Sequence, residues 1–289
     1  MVEERREATR LETASRNTVF LMPPEEHYTH GHHETVLRSH IWRTALNSAA
    51  YLLPHLRPGM SILDVGAGPG TITVDLAELV APGRVIGIDA SEEVVAQARA
   101  HAAERGVTNV EFLVADAYAL PYDDGEFDVV HAHQVLQHLA RPVEALAEFR
   151  RVVADGGLVA VRECDYAGVV LHPLTLGLEA WAALYQRVHR SNGGEPDAGR
   201  RLKQWAREAG FGSVESTASV WCFSDDDERT WWGGMWRDRV LASAFADDAT
   251  GKGFATRADL QAISTAWAHW AEDPDGWMVF PHGEILARK

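Results

Sequence analysis

Short apolar runs alternate along the chain with segments whose apolar residues recur at helical spacing. Five runs have the pattern of strands, at 62–65, 84–89, 110–114, 127–131 and 158–164. The helical segments between them carry end signals, such as a serine that can cap the helix after the second strand. Strands that alternate with helices predict an α/β fold with a doubly wound parallel sheet. A ligand of such a sheet lies beyond the carboxyl ends of its strands.

Further elements flank this alternation. The pattern predicts a leading helix at 34–53 that two prolines end, a helix at 202–209, and strands at 213–223 and 277–286.

Two stretches do not belong to the alternation, at 169–200 and 225–273. The second is rich in Trp at helical spacing. We expect both to be helical inserts packed over the carboxyl edge of the sheet, with some Trp side chains lining an apolar substrate pocket.

The turn after the first strand is rich in glycine. Residues 61–77 read SILDVGAGPGTITVDLA, with Asp64 in the strand and Gly66, Gly68 and Gly70 in the turn. A strand, a glycine turn and a helix in this order bring backbone N–H groups and a helix N-terminus to one point, where an electron-rich ligand can bind. The simpler alternative is a tight turn that needs glycine only for steric reasons.

The spacing of the glycines separates two nucleotide-like cofactors. A dinucleotide fold has Gly or Ala at the sixth position of G-x-G-x-x-G, and Thr71 stands there. This disfavours a nicotinamide-dependent dehydrogenase. The pattern Asp-x-Gly-x-Gly-x-Gly instead resembles the first motif of class I methyltransferases, which bind S-adenosylmethionine (SAM).

An acidic residue ends the second strand and another follows the third. We expect the Asp89 carboxylate, with Ala90 beside it, to accept hydrogen bonds from both ribose hydroxyls of SAM. Asp116 and the Ala117 N–H group can meet the adenine amine and a ring nitrogen. An Asp at a strand end is often only a turn former, but residues in this order at these strand ends predict one cofactor site.

Polar residues also follow the fourth strand. His133, Gln134 and His138 can border the methionine part of SAM and its methyl group. His138 is in addition our candidate general base, and the alternative is a packed polar residue without a chemical role.

The resemblance extends over residues 60–165. The motifs ILDVGAGPG, VIGIDAS, ADAYALPYDDGEFDVVHAHQVLQHL and GGLVAVREC resemble those of small-molecule methyltransferases of the ubiquinone and menaquinone superfamily. The resemblance implies a seven-stranded, Rossmann-like sheet with SAM as methyl donor and S-adenosylhomocysteine as product, and it implies that Gly66, Ala67 and Gly68 contact the cofactor. Ala67 stands where Cys is common in the family, and His133 where Ser or a smaller residue is.

The leading segment EHYTHGHHETVLRSHIWRTALNSAAYLLPHLRPG resembles the N-terminal lid of microbial natural-product methyltransferases, including the gliotoxin-type dithiol S-methyltransferases. This resemblance implies that Tyr28, His33 and Arg43 close over SAM, with Arg43 pairing its carboxylate through a charge-assisted bond. It also makes Tyr28 and His33 candidates for assisting catalysis.

These patterns divide the chain into three predicted parts. Residues 1–58 form a tail and helical lid, and residues 59–168 form the SAM-binding core. Residues 169–289 complete the sheet and contain both inserts.

Composition excludes several function classes. The net charge of −15 and the lack of a basic stripe argue against a nucleic-acid partner. Two cysteines are too few for a disulfide framework, and the charged N-terminus is not a secretory signal. No apolar run reaches membrane-spanning length.

His30, His32 and His33 lack Cys or carboxylate partners at metal-ligand spacing, so no metal is expected. We expect a cytoplasmic protein and leave its oligomeric state open.

The acceptor is predicted less directly than the cofactor. A thiol with a pKa of about 8.5 is partly ionised near neutrality and a carboxylate fully so, whereas a phenol needs a placed base. The sequence shows no evident pair of residues that would act as a general base and its partner. We therefore predict S-methylation of a small hydrophobic natural product, a thiol or dithiol, in its biosynthesis or in self-protection. O-methylation of a hydroxyl or carboxylate, on a small molecule or peptide, is the alternative. A SAM-binding regulatory module without catalysis is the non-enzyme alternative.

Overall fold

The computed structural model of the protein describes residues 42–289. Its centre is a mixed sheet of eight strands, and helices cover both faces. The strands are β1 (Ile62–Val65), β2 (Val85–Asp89), β3 (Val110–Val114), β4 (Phe127–His133), β5 (Val153–Cys164), β6 (Val170–His172), β7 (Ser213–Phe223) and β8 (Trp277–Arg288). The α-helices are α1 (Ala45–Ser48), α2 (Thr71–Val80), α3 (Glu92–Arg105), α4 (Pro142–Val152), α5 (Leu176–Ser191), α6 (Leu202–Glu208), α7 (Asp226–Ala242), α8 (Ala244–Gly251) and α9 (Arg257–Glu272).

The strand order is β3-β2-β1-β4-β5-β8-β6, and β7 pairs with the other edge of β8. The first five strands in this order, β3, β2, β1, β4 and β5, are parallel to one another. Strand β8 runs antiparallel to its neighbours. Asp89 pairs with Val114, and Val65 pairs with both Ile88 and Ala132, so β1 to β4 end along one edge. The predicted α/β class and doubly wound parallel sheet are confirmed.

Apolar residues bind the helices to both faces of the sheet. On one face Leu76 of α2 packs in a cluster with Ile62 and Val129. On the other face Phe149 of α4 belongs to a cluster with Val130. All are fully or almost fully buried, and burying one such side chain contributes about 1.5–3 kcal/mol.

The Trp-rich segment forms the helices α7, α8 and α9. Trp236 of α7 and Trp267 of α9 meet the ring of Trp181 on α5 edge to face, at centroid distances of 4.8 and 4.9 Å. All three rings are buried in one apolar cluster that also contains Phe280 of β8. These Trp residues therefore hold the inserted helices together and against the sheet.

Two elements differ from the prediction. The helix predicted over 34–53 is, among the described residues, only the four-residue α1, because Thr44 caps its start through reciprocal hydrogen bonds with Asn47. The stretch 169–200 contains β6 as well as a helix, and this gives the sheet an eighth strand. With three residues, β6 is too short to show a period of two in the sequence.

No helix within the described residues is long and apolar enough to cross a membrane. The division into parts 1–58, 59–168 and 169–289 stays a prediction.

Candidate functional site

A cavity of about 630 Å³ lies at the carboxyl ends of β1 to β4. Its wall contains every sequence-predicted site residue that the structure describes: Arg43, Gly66, Ala67, Gly68, Asp89, Ala90, Asp116, Ala117, His133, Gln134 and His138. Tyr28 and His33 lie outside the described residues, so their predicted roles stay predictions. The topology thus collects residues from four strand ends around one space.

The glycine turn is packed directly against the segment that follows β4. Gly66 has a φ of 69°, where a side chain is strained, and a Cβ added there would lie 2.3 Å from Cγ2 of Val135. The turn therefore needs glycine for both conformation and space. Its backbone can come close to a ligand in the cavity.

Asp64 fixes the turn from below. Its carboxylate accepts hydrogen bonds from the Thr73 hydroxyl at 2.5 Å and from Nδ1 of His131 at 2.7 Å. Both partners are fully buried. One side chain thereby joins β1, α2 and β4 beneath the cavity, which assigns Asp64 to holding the site together.

Asp89 presents its carboxylate at the next strand end. One oxygen accepts the Gly68 N–H at 3.1 Å and the other accepts the Ser91 N–H at 3.1 Å. Asp116 likewise accepts the Tyr118 N–H at 2.9 Å. Each carboxylate oxygen has further lone pairs, so these bonds orient the two carboxylates without exhausting their capacity to bind a ligand.

The segment after β4 is anchored by a buried carboxylate on β5. Glu163 is completely buried and accepts N–H groups of Val135, Leu136 and Gln137 at 2.8, 2.7 and 3.3 Å. Burial raises the pKa of Glu163 to about 8, and the three N–H donors act in the opposite direction. Sequence reasoning missed Glu163, because its partners lie more than twenty residues away.

Arg43 reaches the cavity from the segment before α1. Its Nη2 donates to Oε1 of Gln134 at 2.8 Å. Its guanidinium carbon lies 5.7 Å from the centroid of the Trp221 ring, within the range of a cation–π contact.

An aromatic wall, formed by Tyr166, Trp221, Trp232 and Phe280, also lines the cavity. Its strand residues, Trp221 of β7 and Phe280 of β8, lie beyond β5 in the strand order, away from β2 and β3. Phe280 lies at its centre, with ring-centroid distances of 4.8 Å to Tyr166, 6.0 Å to Trp232 and 6.2 Å to Trp221. Arg239 of α7 also lines this part. The sequence led us to expect Trp residues of the inserts here, as is the case for Trp232, but it did not indicate Trp221 of β7, Tyr166, Phe280 or Arg239.

The two predicted histidines differ in their surroundings. Nε2 of His138 lies 3.1 Å from the Gln137 amide nitrogen, and the Gln137 amide oxygen accepts the Cys164 thiol at 2.8 Å. Since an amide nitrogen only donates, His138 uses its Nε2 lone pair on Gln137. His133 is also buried, and neither of its ring nitrogens has a hydrogen-bond partner within the described part of the chain.

Both imidazoles are held neutral. Burial lowers the pKa of His133 well below its ordinary value, and the nearby Arg43 and Arg162 lower it further. Burial and the neighbouring His189 likewise lower the pKa of His138. A neutral imidazole offers one N–H donor and one lone pair for hydrogen bonds, and the lowered pKa makes these two rings weak bases.

Charge is segregated along the cavity. Among its described lining residues, Asp64 stands on β1, Asp89 ends β2 and Asp116 follows β3, whereas Arg43 lies over the Trp221 ring and Arg239 lies near Tyr166. The first end favours a ligand that offers hydroxyl and amine donors. The second favours an apolar ligand with negative charge. No group of three metal-binding side chains occurs within 42–289, and the predicted absence of a metal site stays a prediction.

Comparison with known proteins decides the family. The description "Methyltransferase domain" matches residues 56–210. An uncharacterised methyltransferase of Schizosaccharomyces pombe is 34% identical over 272 residues, which cover 91% of this chain and 96% of that protein. The chain belongs to the class I SAM-dependent methyltransferases.

Further relatives agree with this assignment. The methyltransferase is 34% identical over 171 residues to a demethylmenaquinone methyltransferase of Lactococcus lactis, a match that covers 54% of this chain and 68% of that protein. Its fold is similar to that of a Haemonchus contortus phosphoethanolamine N-methyltransferase in complex with phosphomonomethylethanolamine and S-adenosylhomocysteine. That likeness has a TM-score of 0.53 and 17% identity, and covers 88% of this chain and 57% of that one. The prediction of an enzyme, rather than a regulatory module, is confirmed.

SAM is the methyl donor, and the residues of the methyltransferase fit it. The Asp89 carboxylate lines the cavity beside the glycine turn, where the Gly68 N–H orients it at 3.1 Å, and it can accept hydrogen bonds from the ribose hydroxyls of SAM. When bound, SAM supplies a methyl group on a positively charged sulfur. The protein must hold the acceptor in line with it.

Proposed function

We propose that the methyltransferase transfers a methyl group to the sulfur of a small hydrophobic thiol or dithiol, a natural product, in the cytoplasm. Gly66, Ala67, Gly68 and Arg43 bind the methionine part of SAM in this proposal. Ala90, Asp116, Ala117 and the Asp89 carboxylate bind its adenosine, and His133, Gln134 and His138 border the methyl group.

The aromatic wall with the Arg239 guanidinium carries this proposal. A hydrophobic acceptor can pack on Phe280 and Trp232, while Arg239 favours the anionic form of its reacting group. An opposite charge nearby lowers a pKa by about 1–3 units, which would leave a thiol of pKa about 8.5 largely ionised at neutral pH. Orientation of the thiolate then supplies most of the remaining catalysis, about 7–11 kcal/mol when alignment is good.

His133 is better placed than His138 to form a hydrogen bond with the acceptor. The Nε2 lone pair of His138 is engaged by Gln137, whereas His133 is neutral and its ring nitrogens have no partner within the described residues. We therefore propose His133 as the group that hydrogen-bonds to the acceptor, and His138 as part of the cavity wall.

A quinol acceptor is the second candidate. It is favoured by the name of the Lactococcus relative, a demethylmenaquinone methyltransferase, and by the four rings of the aromatic wall, against which a flat aromatic acceptor could stack. Methylation would then occur at carbon or oxygen.

The experiment compares acceptors that differ in one atom. The protein is incubated with SAM and with matched aromatic thiols, phenols, carboxylic acids and naphthoquinols, and products are identified by mass spectrometry. We expect a dithiol to gain one methyl group and then two, and the matched diol to gain none. A mixture without the protein is the control for nonenzymatic product, and Asp89→Asn should form product more slowly when SAM is limiting. Methylation of phenols or quinols alone would refute the thiol proposal and leave the cofactor assignment intact.

A further inference from the structure

A chain of hydrogen bonds connects the last strand of the sheet to Arg43. Nδ1 of His282 lies 3.0 Å from the carbonyl oxygen of Phe280. Nε2 of His282 lies 2.9 Å from the side-chain nitrogen of Gln134. The side-chain oxygen of Gln134 accepts the Arg43 guanidinium at 2.8 Å.

The protons in this chain can be assigned in only one way. The Phe280 carbonyl accepts and cannot donate, so Nδ1 of His282 carries the proton. Burial and the nearby Arg162 and Arg43 lower the pKa of His282 well below its ordinary value, so its Nε2 is an acceptor. The Gln134 amide must therefore point its NH₂ group at His282 and its oxygen at Arg43.

The backbone of Gln134 is equally constrained. Its N–H donates to the carbonyl of Arg162 at 2.8 Å, and the next three N–H groups donate to the carboxylate of Glu163. Gln134 also has a φ of 56°, which is uncommon for a residue other than glycine. Strained residues of this kind persist where the surroundings fix them, and they cluster at functional sites.

We infer that Gln134 and His282 are positioning residues, which hold the Arg43 guanidinium where it meets the carboxylate of the cofactor's methionine part. The inference rests on the proposed role of Arg43 and extends it to Gln134, which lines the cavity itself, and to His282, which acts on the cofactor only through Gln134 and Arg43. An amide with the reverse orientation would turn two N–H donors toward a cation. His282 excludes that orientation.

Two ligands that differ in the amino-acid part, which carries the carboxylate, test the inference. S-adenosylhomocysteine has the amino-acid part, and 5′-methylthioadenosine lacks it. Isothermal titration of the full chain with each ligand separates a lost carboxylate contact from general damage to the site. In Gln134→Leu we expect about tenfold weaker binding of S-adenosylhomocysteine, the size of one hydrogen bond to a charged group. Binding of 5′-methylthioadenosine should change less than about twofold, below the level of a single lost contact.

A double variant and a matched control sharpen the test. If Gln134 acts through Arg43, Gln134→Leu combined with Arg43→Ala binds S-adenosylhomocysteine no more weakly than Arg43→Ala alone. Gln186→Leu is the control, because Gln186 accepts Arg190 at 2.8 Å on an exposed helix face, the same contact outside the cavity. Its affinities for both ligands should equal those of the unaltered protein.

Three results would overturn the inference. The first is an equal loss of affinity for both ligands in Gln134→Leu. The second is an unchanged affinity for S-adenosylhomocysteine in that variant or in Arg43→Ala. The third is a loss of affinity in the double variant that equals the sum of the losses in the single variants. Should Gln134→Leu fail to fold, His282→Phe carries the same expectation of a loss confined to S-adenosylhomocysteine. No acceptor is present in these titrations, so failure of the thiol proposal would leave them unaffected.

Discussion

Replacing Gly66 by Ala should disable the glycine turn by a steric clash that can be isolated experimentally. The new Cβ would lie 2.3 Å from Cγ2 of Val135, and a β-branched side chain has few rotamers with which to move away. Gly106 is a matched control. It has the same φ of 69° but has nothing within 4 Å of an added Cβ.

The two substitutions share one energetic cost and differ in another. The left-handed backbone costs about 1–2 kcal/mol for a residue with a Cβ, so Gly106→Ala should lower the free energy of unfolding by that amount. Overpacking adds about 1–3 kcal/mol, which brings the expected cost of Gly66→Ala to roughly 2–5 kcal/mol. The difference between the variants measures the clash.

Truncating the Val135 side chain should relieve the steric clash in Gly66→Ala. In Val135→Ala the atom Cγ2 is gone, and the two Cβ atoms would be 3.4 Å apart, an ordinary contact. The double variant Gly66→Ala/Val135→Ala should therefore be less destabilised than the sum of its single variants by about 1–3 kcal/mol.

The assay is urea unfolding followed by tryptophan fluorescence, with titration of S-adenosylhomocysteine on the folded variants. Gly66→Ala should bind the ligand more weakly than Gly106→Ala, because only Gly66 lines the cavity. Equal stability of Gly66→Ala and Gly106→Ala, or strict additivity in the double variant, would refute the packing argument.

Three further predictions concern the site and its surroundings. Asp89→Asn should weaken S-adenosylhomocysteine binding about tenfold to a hundredfold, since hydrogen bonds to a charged group contribute about 1.5–3 kcal/mol; an unchanged affinity by calorimetry would exclude Asp89 from ribose binding. Trp232→Leu should raise KM for the acceptor severalfold and leave cofactor affinity unchanged. An unchanged KM for the acceptor with weaker cofactor binding would place Trp232 outside the acceptor pocket. Burial lowers the pKa of His189 in the folded protein to about 4, whereas the unfolded chain binds the proton below pH about 6.5. The free energy of unfolding should therefore be unaffected by this residue above pH about 6.5 and should fall by about 3 kcal/mol as the pH falls toward 4. Urea midpoints at pH 7.5 and 4.5 check this, and a smaller difference in His189→Gln would assign the loss to this residue.

The sequence predicts the fold and the cofactor end of the site because both depend on local patterns. The glycine turn, Asp89 and Asp116 each lie within a few residues of a strand end, and topology alone then brings strand ends together. The added strand β6 escaped prediction because three residues cannot show a period.

The acceptor end could not be predicted in the same way. Tyr166, Phe280 and Arg239 belong to elements far apart in sequence, and only packing of the inserted helices on β8 brings them to one wall. The different states of His133 and His138 also depend on distant partners, since Cys164 sets the orientation of the Gln137 amide that occupies His138. No spacing in the sequence records such contacts.

The place of β8 has a consequence for the order in which the protein can fold on the ribosome. The strand follows all the others along the chain, yet it lies inside the sheet, where residues 282–288 pair with β5 on one side and β7 on the other. Pairing of β7 with β8 must wait until the three intervening helices have been synthesised. The parallel strands that hold the glycine turn have no such requirement. Folding should therefore proceed in two stages. The glycine turn and the strand ends that carry Asp89 and Asp116 form early, and the aromatic wall and the hydrogen-bond chain from His282 to Arg43 are completed only after β8 emerges.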